Sequence, residues 1–401
     1  MSESVPQSTT LKYPVLHGPP VKPPPFQQPT PLTSFSYTPE HVQEFADSAL
    51  RYFAPIPPSL LGNPRGGPSR GLDLGYGYER WVRKPEDRGR IDSLLNAVNM
   101  VCERGTGNGE GKLMRLKDVS VVAWRGVITR IITAPYEERD GWEMNVMVMD
   151  GTMYLEEHLT DDKLHEKNNV EERHRRAMYY GYAFESYSTW ETPFNDNPAP
   201  NKWGGDVNTN VQWCSVVRTK LGDMRMVIGG EVDCVRGKYS GRTDEFVELK
   251  TSLTIRGPSD EVKFEKKLLK FYFQSFLLGV PEIVVGFRTP RGQLTSTKSY
   301  KTMEIPRMVR GKPGGWDPST HCAFMATPAS DATSPSPPMP YIAHIPEPRS
   351  PLSPSLTVIS TESKDSIVDK FMARARISQA SIFFVSSRAP SGPNRSQDAS
   401  L

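Results

Sequence analysis

The chain has 401 residues, and its 49 Lys and Arg nearly balance its 46 Asp and Glu, so the formal net charge is +3. That balance excludes a strongly basic nucleic-acid coat and an acidic solvating tail. Four cysteines without a C-x-x-C pair argue against a disulfide scaffold or structural zinc site, and no apolar run approaches the roughly 18 residues of a membrane span.

Proline and serine mark the two ends of the chain. Nine prolines fall within residues 1–31, and residues 323–401 contain 11 Pro and 16 Ser. Such segments bury too little apolar surface to offset their ordering entropy. We therefore expect a disordered arm over 1–35, one globular domain over 36–322, and a disordered tail over 323–401 in which Ile382 to Val385 is an apolar, adhesive patch. The first residues, MSESVPQSTT, lack the features of a secretion signal, so we expect reduced thiols and no membrane partner.

Inside the domain, apolar spacing predicts both helices and strands. Helical spacing joins Ile91, Leu94, Leu95, Val98 and Val101. β-Branched or alternating residues predict strands over 119–133, 142–158, 212–235, 244–253 and 281–289, the third of these with a Gly-Asp turn.

A second helix is predicted late in the domain. Its cap is Ser259 or Asp260, and Gly279 and Pro281 end it. One face carries Phe264, Leu268, Phe271, Ser275 and Leu278. Because helices and strands occur without regular alternation, we expect an α+β or mixed α/β fold.

The chemistry is concentrated in two short motifs, GEVD and VELK. Alternate residues of a strand share a face, so Glu231 lies beside Asp233, and Glu248 beside Lys250. The intervening KYSGR turn allows the two strands to pair, which would bring three carboxylates and one ammonium together. Such a cluster suits Mg²⁺ or Mn²⁺, because hard cations prefer oxygen ligands and because unneutralised carboxylates repel one another.

These and other motifs also have less specific interpretations. E-x-D and E-x-K are also ordinary solvated patterns, although their apolar flanks indicate buried strands. RGTGNGEGKL lacks the phosphate-loop residues and is interpreted as a flexible loop. His165 and His174 have no metal-ligand spacing, and EERHRR (171–176) is interpreted as a solvated helix face rather than an RNA groove.

The chain resembles the DXO family of RNA 5′-end decapping nucleases, in particular its fungal nuclear branch. The resemblance extends over about 36–322 and includes WRG, GYAFE, VNTNVQWCSVVRTKLG, GEVD, VELK and LKFYFQSFLLGVP in order. It implies a PD-(D/E)xK nuclease-like fold, in which helices flank a mixed central sheet. The family's chain continues as folded structure after KPGGWDPSTHCAF, whereas here a Pro/Ser-rich tail follows.

The resemblance also assigns roles to individual residues. It implies that Lys250, Glu231 and Gln274 are catalytic, and that Arg125, Lys250 and Gln274 bind substrate. It implies metal ligation by Glu185, Glu231, Asp233, Glu248 and the backbone carbonyl of Leu249. The alternatives are a capped core amide for Gln274 and a strand-edge ion pair for Arg125.

Function follows from the resemblance as an expectation. It implies hydrolysis of RNA 5′ triphosphates, unmethylated guanosine caps and NAD caps to a 5′ monophosphate, with two Mg²⁺ or Mn²⁺ ions, in the nucleus. It also implies a nuclear 5′-to-3′ exoribonuclease as partner. The alternatives are a largely non-catalytic stabiliser of that exoribonuclease, and a DNA nuclease of the same fold.

Overall fold

The structure is a computed structural model, and it describes residues 7–11, 24–63, 71–88, 90–104, 116–136, 142–193, 203–318 and 380–387. All of the predicted flexible loop except Arg104 lies outside these residues, as do most of the arm and tail. Within the described part, no helix is long and apolar enough to cross a membrane.

The described residues contain fifteen strands and six α-helices. The strands are β1 (Gln7–Leu11), β2 (Thr30–Tyr37), β3 (Gln43–Glu44), β4 (Tyr52–Phe53), β5 (Val121–Trp124), β6 (Trp142–Met149), β7 (Thr152–Glu157), β8 (Thr189–Trp190), β9 (Gln212–Leu221), β10 (Met224–Glu231), β11 (Cys234–Val235), β12 (Phe246–Leu253), β13 (Glu282–Arg288), β14 (Leu294–Lys301) and β15 (Ala380–Ser387). The helices are α1 (Asp92–Arg104), α2 (Arg125–Thr133), α3 (Asp161–Asn168), α4 (Glu172–Ser188), α5 (Pro258–Leu278) and α6 (Ile305–Val309).

Among the described residues these strands form two mixed sheets. The larger has the order β1-β15-β6-β7-β5-β10-β9-β2-β3, and the smaller has the order β14-β13-β12-β11-β4-β8. In the larger sheet β10 lies between β5, which is parallel to it, and β9, which is antiparallel. In the smaller sheet β12 is antiparallel to β11 and parallel to β13. This arrangement is the mixed α+β class expected from the sequence.

The helices pack against both sheets. α2 and α5 share an apolar core with one face of each sheet, including Ile128, Phe273, Ile228 and Val285. α1 covers the opposite face of the larger sheet, and α4 covers the opposite face of the smaller one, where Phe184 is fully buried. The two sheets are therefore held together through shared helices, and the seam between them lies within the core.

Most predicted elements are found where the sequence placed them. The hairpins β6–β7 and β9–β10 turn at residues with positive φ, Asp150 and Gly151 in the first and Gly222 in the second. α5 begins after Gly257, two residues earlier than its predicted cap, and ends at Gly279, which adopts φ 75°.

The predicted strand over 119–133 is wrong in its second half. β5 ends at Trp124, and α2 follows at once. Val127, Ile128, Ile131 and Ile132 are buried on one side of that helix. Their spacing by one and four residues is helical, so tertiary packing outweighs the β preference of branched side chains here.

Three segments that fall wholly or partly in the predicted arm and tail lie in the larger sheet. β2 begins at Thr30, five residues before the predicted end of the arm, and Phe35 is fully buried. In the tail, β15 pairs antiparallel with β6, and β1 pairs parallel with β15. Ile382 to Val385 thus adds to a sheet edge, because an unpaired edge offers N–H and C=O groups to any extended apolar segment.

Candidate active site

The GEVD motif lies where the chain passes from one sheet to the other. Glu231 is the last residue of β10 in the larger sheet, and β11 of the smaller sheet begins at Cys234. Between them, the Val232 N–H donates to the Trp213 carbonyl at 3.0 Å. The sequence placed Glu231 and Asp233 on one strand; instead, Asp233 lies in the crossing between two sheets.

Arg125 reaches the same place from β5. Because β5 and β10 are parallel, with Trp124 paired to Gly229, Arg125 and Gly230 follow at the same edge of the sheet. A Cβ on Gly230 would lie 3.0 Å from the Cβ of Arg125 and 2.7 Å from Leu278 Cδ1. Glycine is therefore required at 230 for the close approach of α2 and α5 to the motif.

Glu248 lies at the centre of a buried ion-pair cluster. Arg125 Nη1 donates to Glu248 Oε2 at 3.0 Å, and Lys250 Nζ donates to Oε1 at 2.5 Å. The Glu248 side chain is 1% exposed, against 13% for Arg125 and 23% for Lys250. Glu248 and Lys250 share a face of β12, as the E-x-K spacing predicts.

Asp233 completes this cluster and contacts the β12 backbone. Its Oδ2 lies 3.8 Å from Lys250 Nζ and accepts a hydrogen bond of 2.6 Å from the Leu249 N–H. A strand residue directs its N–H and C=O to the same side, so the Leu249 carbonyl also faces the Asp233 side.

Glu185 approaches from the last turn of α4, which packs against β12. Burial raises its pKa well above the usual value, and the negative charges of Asp233 and Glu231 raise it further. The four carboxylates therefore lie close enough to act on one another electrostatically.

The carboxylates divide into two electrostatic classes. Burial and the charge of Asp233 raise the pKa of Glu231 to about 7. Burial and Glu248 raise the pKa of Asp233 to about 6. Burial acts in the same direction on Glu248, but Arg125 and Lys250 outweigh it and lower the pKa of that residue. The repulsion expected from the sequence is thus present, and two cations relieve it for one of the four carboxylates.

Gln274 lies in α5 and is partly buried, one turn before Leu278. Leu278 packs over Gly230, next to Glu231. The end of α5 therefore passes close to Glu231, and Gln274 lies one turn before that approach.

The donor set fits a hard divalent cation in its chemistry. It offers carboxylate oxygens and a backbone carbonyl, and their mutual repulsion would be relieved by a positive ion. As arranged, no three His, Cys, Asp or Glu side chains of the described residues form a ready metal site. Two ion pairs hold Glu248, so ion binding has to compete with Arg125 and Lys250.

One contact at the site was not predicted. Gln212, the first residue of β9, donates from Nε2 to Glu231 Oε2 at 3.1 Å. The sequence signal was weak: Gln212 lies two residues before Cys214, on the same strand face, and an isolated amide carries no recognisable motif.

The basic 171–176 segment and the cysteines agree with their less specific interpretations. Five of the six side chains of the 171–176 segment are exposed, as a solvated helix face requires. In the described part of the chain Cys102, Cys214 and Cys234 are free thiols.

Comparison with known protein families gives one match over most of the chain. The model described as "RAI1 like PD-(D/E)XK nuclease" matches residues 27–329. The decapping nuclease RAI1 of Mycosarcoma maydis is 44% identical over 327 residues, covering 72% of this chain and 64% of that protein. The chain therefore spans a little under two thirds of that relative. The human decapping and exoribonuclease protein is 36% identical over 315 residues, covering 77% of this chain and 75% of its own.

Solved structures give a consistent result. Rai1 of S. pombe superposes with a TM-score of 0.57 at 30% identity, covering 76% of this chain and 84% of its own. Candida albicans Rai1, in complex with pU5 and Mn²⁺, superposes with a TM-score of 0.63 at 26% identity, covering 75% of this chain and 80% of its own.

Proposed function

The chain belongs to the RAI1-like PD-(D/E)XK nuclease family, and from this membership we propose that it hydrolyses incomplete 5′ ends of RNA. The substrates are 5′ triphosphates, unmethylated guanosine caps and NAD caps, and the product is 5′-monophosphate RNA for 5′-to-3′ decay. The relatives named above are decapping nucleases, and the Candida albicans relative was solved with a uridine oligonucleotide and Mn²⁺.

One observation supports this proposal most directly. Four carboxylates, one guanidinium and one ammonium converge at the seam between the sheets, with Glu248 1% exposed between Arg125 and Lys250. Burying ion pairs costs stability unless every charge is compensated. Buried groups whose pKa values are shifted by burial and by specific charge partners are concentrated at functional sites, and phosphoryl chemistry uses carboxylates and cations of this kind.

The ligands for Mg²⁺ or Mn²⁺ are Glu185, Glu231, Asp233, Glu248 and the Leu249 carbonyl. We propose two ions, because this set offers more oxygens than one ion needs. When bound, such ions supply a Lewis acid and lower the pKa of an attacking water.

The other side chains act on the substrate. Lys250 offsets charge on the phosphoryl group and orients the attacking water, while Glu231 takes part in accepting its proton. Arg125 holds the RNA phosphates, since a guanidinium bonded to Glu248 through Nη1 has further N–H donors. Gln274 binds the substrate from α5.

The deciding experiment compares RNAs that differ at the 5′ end alone. The protein is incubated with triphosphate, unmethylated-cap, NAD-capped and monophosphate RNAs, in Mg²⁺ or Mn²⁺ and in EDTA, beside Asp233→Ala. We expect 5′-monophosphate product that requires the metal and Asp233. Activity that survives EDTA or requires zinc would contradict the proposal, and equal cleavage of DNA would favour the DNA nuclease.

We also propose a nuclear location and a nuclear 5′-to-3′ exoribonuclease as partner. The support is chemical: a 5′ monophosphate is the product here and the entry point for an enzyme of that type. Purification of the tagged protein from nuclear extract should recover 5′-monophosphate-dependent exonuclease activity. If the Asp233→Ala protein stabilises that exonuclease fully while wild-type hydrolysis is undetectable, the non-catalytic alternative holds.

A further inference from the structure

The contact between Gln212 and Glu231 joins the neighbouring strands β9 and β10 at the end of the larger sheet where Glu231 lies. In the antiparallel pairing of β9 with β10, Glu231 lies opposite Cys214. Gln212 is two residues before Cys214 and so is the diagonal neighbour of Glu231 on the same face. Diagonal pairs of this kind lie about 7–8 Å apart, a gap that long side chains bridge. Gln212 bridges it with a hydrogen bond of 3.1 Å from Nε2 to Oε2.

The donor at position 212 is a neutral amide, and a comparison with Glu248 explains why an amide suits this position. Glu248 is held by two cations, Arg125 and Lys250, whereas Glu231 receives the Gln212 bond from a neutral donor. A neutral donor fixes the orientation of the carboxylate without cancelling its charge. A cation at 212 would compete with a metal ion for the same carboxylate.

We propose that Gln212 is a positioning residue that orients the Glu231 carboxylate for the divalent metal ion. This inference rests on the proposed function, since it takes Glu231 to be a metal ligand. Hydrogen bonds from neighbouring groups fix the orientation of metal ligands, and their loss typically weakens metal binding about 10- to 100-fold. Gln212 acts through Glu231, and the inference includes no contact between Gln212 and the substrate.

The test is Gln212→Met, which keeps the length of the side chain and removes the donor. A matched control exists in the same sheet: Asn145 on β6 donates from Nδ2 to Glu156 Oε1 on β7 at 3.0 Å, directly across the strands. Asn145→Leu removes an amide-to-carboxylate bond of the same kind from a pair that includes none of the proposed metal ligands or substrate-binding residues. Gln212→Ala is the second variant if Gln212→Met does not fold.

Mn²⁺ binding to the RNA-free full-length protein is measured by calorimetry, together with unfolding in EDTA. We expect Gln212→Met to bind Mn²⁺ about 10- to 100-fold more weakly than wild type, and Asn145→Leu to bind it unchanged. In turnover, the Mn²⁺ concentration for half-maximal rate should rise by the same factor, while the rate at saturating Mn²⁺ returns to within a few fold of wild type.

Two results would overturn the inference. One is wild-type Mn²⁺ affinity in a folded Gln212 variant, and the other is a rate loss that saturating Mn²⁺ does not restore. Asp233→Ala separates the inference from the proposed function. If wild type binds Mn²⁺ and Asp233→Ala does not, the metal site stands even when Gln212 fails. If wild type binds no Mn²⁺, both fail.

Discussion

The buried ion-pair cluster around Glu248 and the exposed N-terminal part of α4 contain the same kind of ion pair in opposite surroundings. Arg125 meets Glu248 at 3.0 Å with side chains 13% and 1% exposed. Arg176 meets Glu172 at 2.9 Å with side chains 45% and 55% exposed, and its guanidinium also lies over the ring of Tyr78.

The difference lies in the cost of removing one partner. Water replaces a lost partner at the surface, so an exposed pair contributes little to stability. In the cluster, removing one charge leaves its partners desolvated and unpaired. Ion pairs of nearly the same length therefore differ in what the loss of one partner costs, and burial accounts for the difference.

The largest expected effect separates the two regions by function. Asp233→Ala or Glu231→Ala should reduce hydrolysis of triphosphate RNA below detection, because a metal ligand contributes directly to the transition state. Both proteins should keep a cooperative unfolding transition. Glu172→Ala should leave the rate unchanged. Near wild-type turnover of either site variant at saturating Mn²⁺ would remove these residues from the mechanism.

The next effect is on stability. Glu248→Gln leaves the largely buried Arg125 without its ion-pair partner, and leaves Lys250 with the more distant Asp233 carboxylate, 3.8 Å away. It should lower the free energy of unfolding by about 3–5 kcal/mol. Glu172→Gln, the matched change in the exposed pair, should give no measurable change. Denaturation in urea with EDTA measures both. Equal effects would mean that burial does not distinguish the two regions.

Lys250→Ala tests the proposed chemical role of the partly exposed ammonium. Turnover should fall about a hundredfold, because a preorganised group facing transition-state charge supplies roughly 3 kcal/mol. RNA affinity should change little, since many positive groups share the ground-state contact. The measurement is single-turnover cleavage beside the binding constant at fixed salt. If affinity collapses while the rate holds, Lys250 binds substrate and does no more.

The last effect is the pH dependence of stability without metal. The pKa values of Glu231 and Asp233 are raised to about 7 and about 6, above the unfolded values of roughly 4. Their protonated forms favour the folded state, so that contribution is complete below about pH 4 and is lost as the pH rises through 6 to 7. The melting temperature in EDTA should therefore fall between pH 5 and 8, and Glu231→Gln should flatten the profile. Glu172→Gln should not.

Much of this molecule could be predicted from the sequence. Period-two spacing located the β6–β7 and β9–β10 segments, although it predicted a turn only in the second, and helical spacing located α5. The family prediction is confirmed by the match over residues 27–329. The spacing of Glu248 and Lys250 placed both on one strand face correctly. These features are local, because spacing within one element determines them.

The features that were wrongly predicted or missed depend on contacts between residues far apart in the sequence. The helical state of 125–133 depends on a core shared with α5, which branched side chains do not reveal. The crossing of the chain between sheets at Asp233 depends on which strands pair, and the contact of Gln212 with Glu231 depends on β9–β10 register. The roles of the site residues stay predictions, since the geometry brings the charged groups together without showing them at work.

Because the chain crosses between the sheets at Val232 and Asp233, activity should be sensitive to the relative position of the two sheets. Glu231 ends a strand of the larger sheet, whereas Glu248 and Lys250 belong to β12 of the smaller sheet. A small shift of one sheet relative to the other would separate Glu231 from Glu248 and Lys250 while the hydrogen bonds within each sheet remain intact. Mild heating or a low concentration of denaturant should therefore abolish activity before circular dichroism detects any loss of secondary structure.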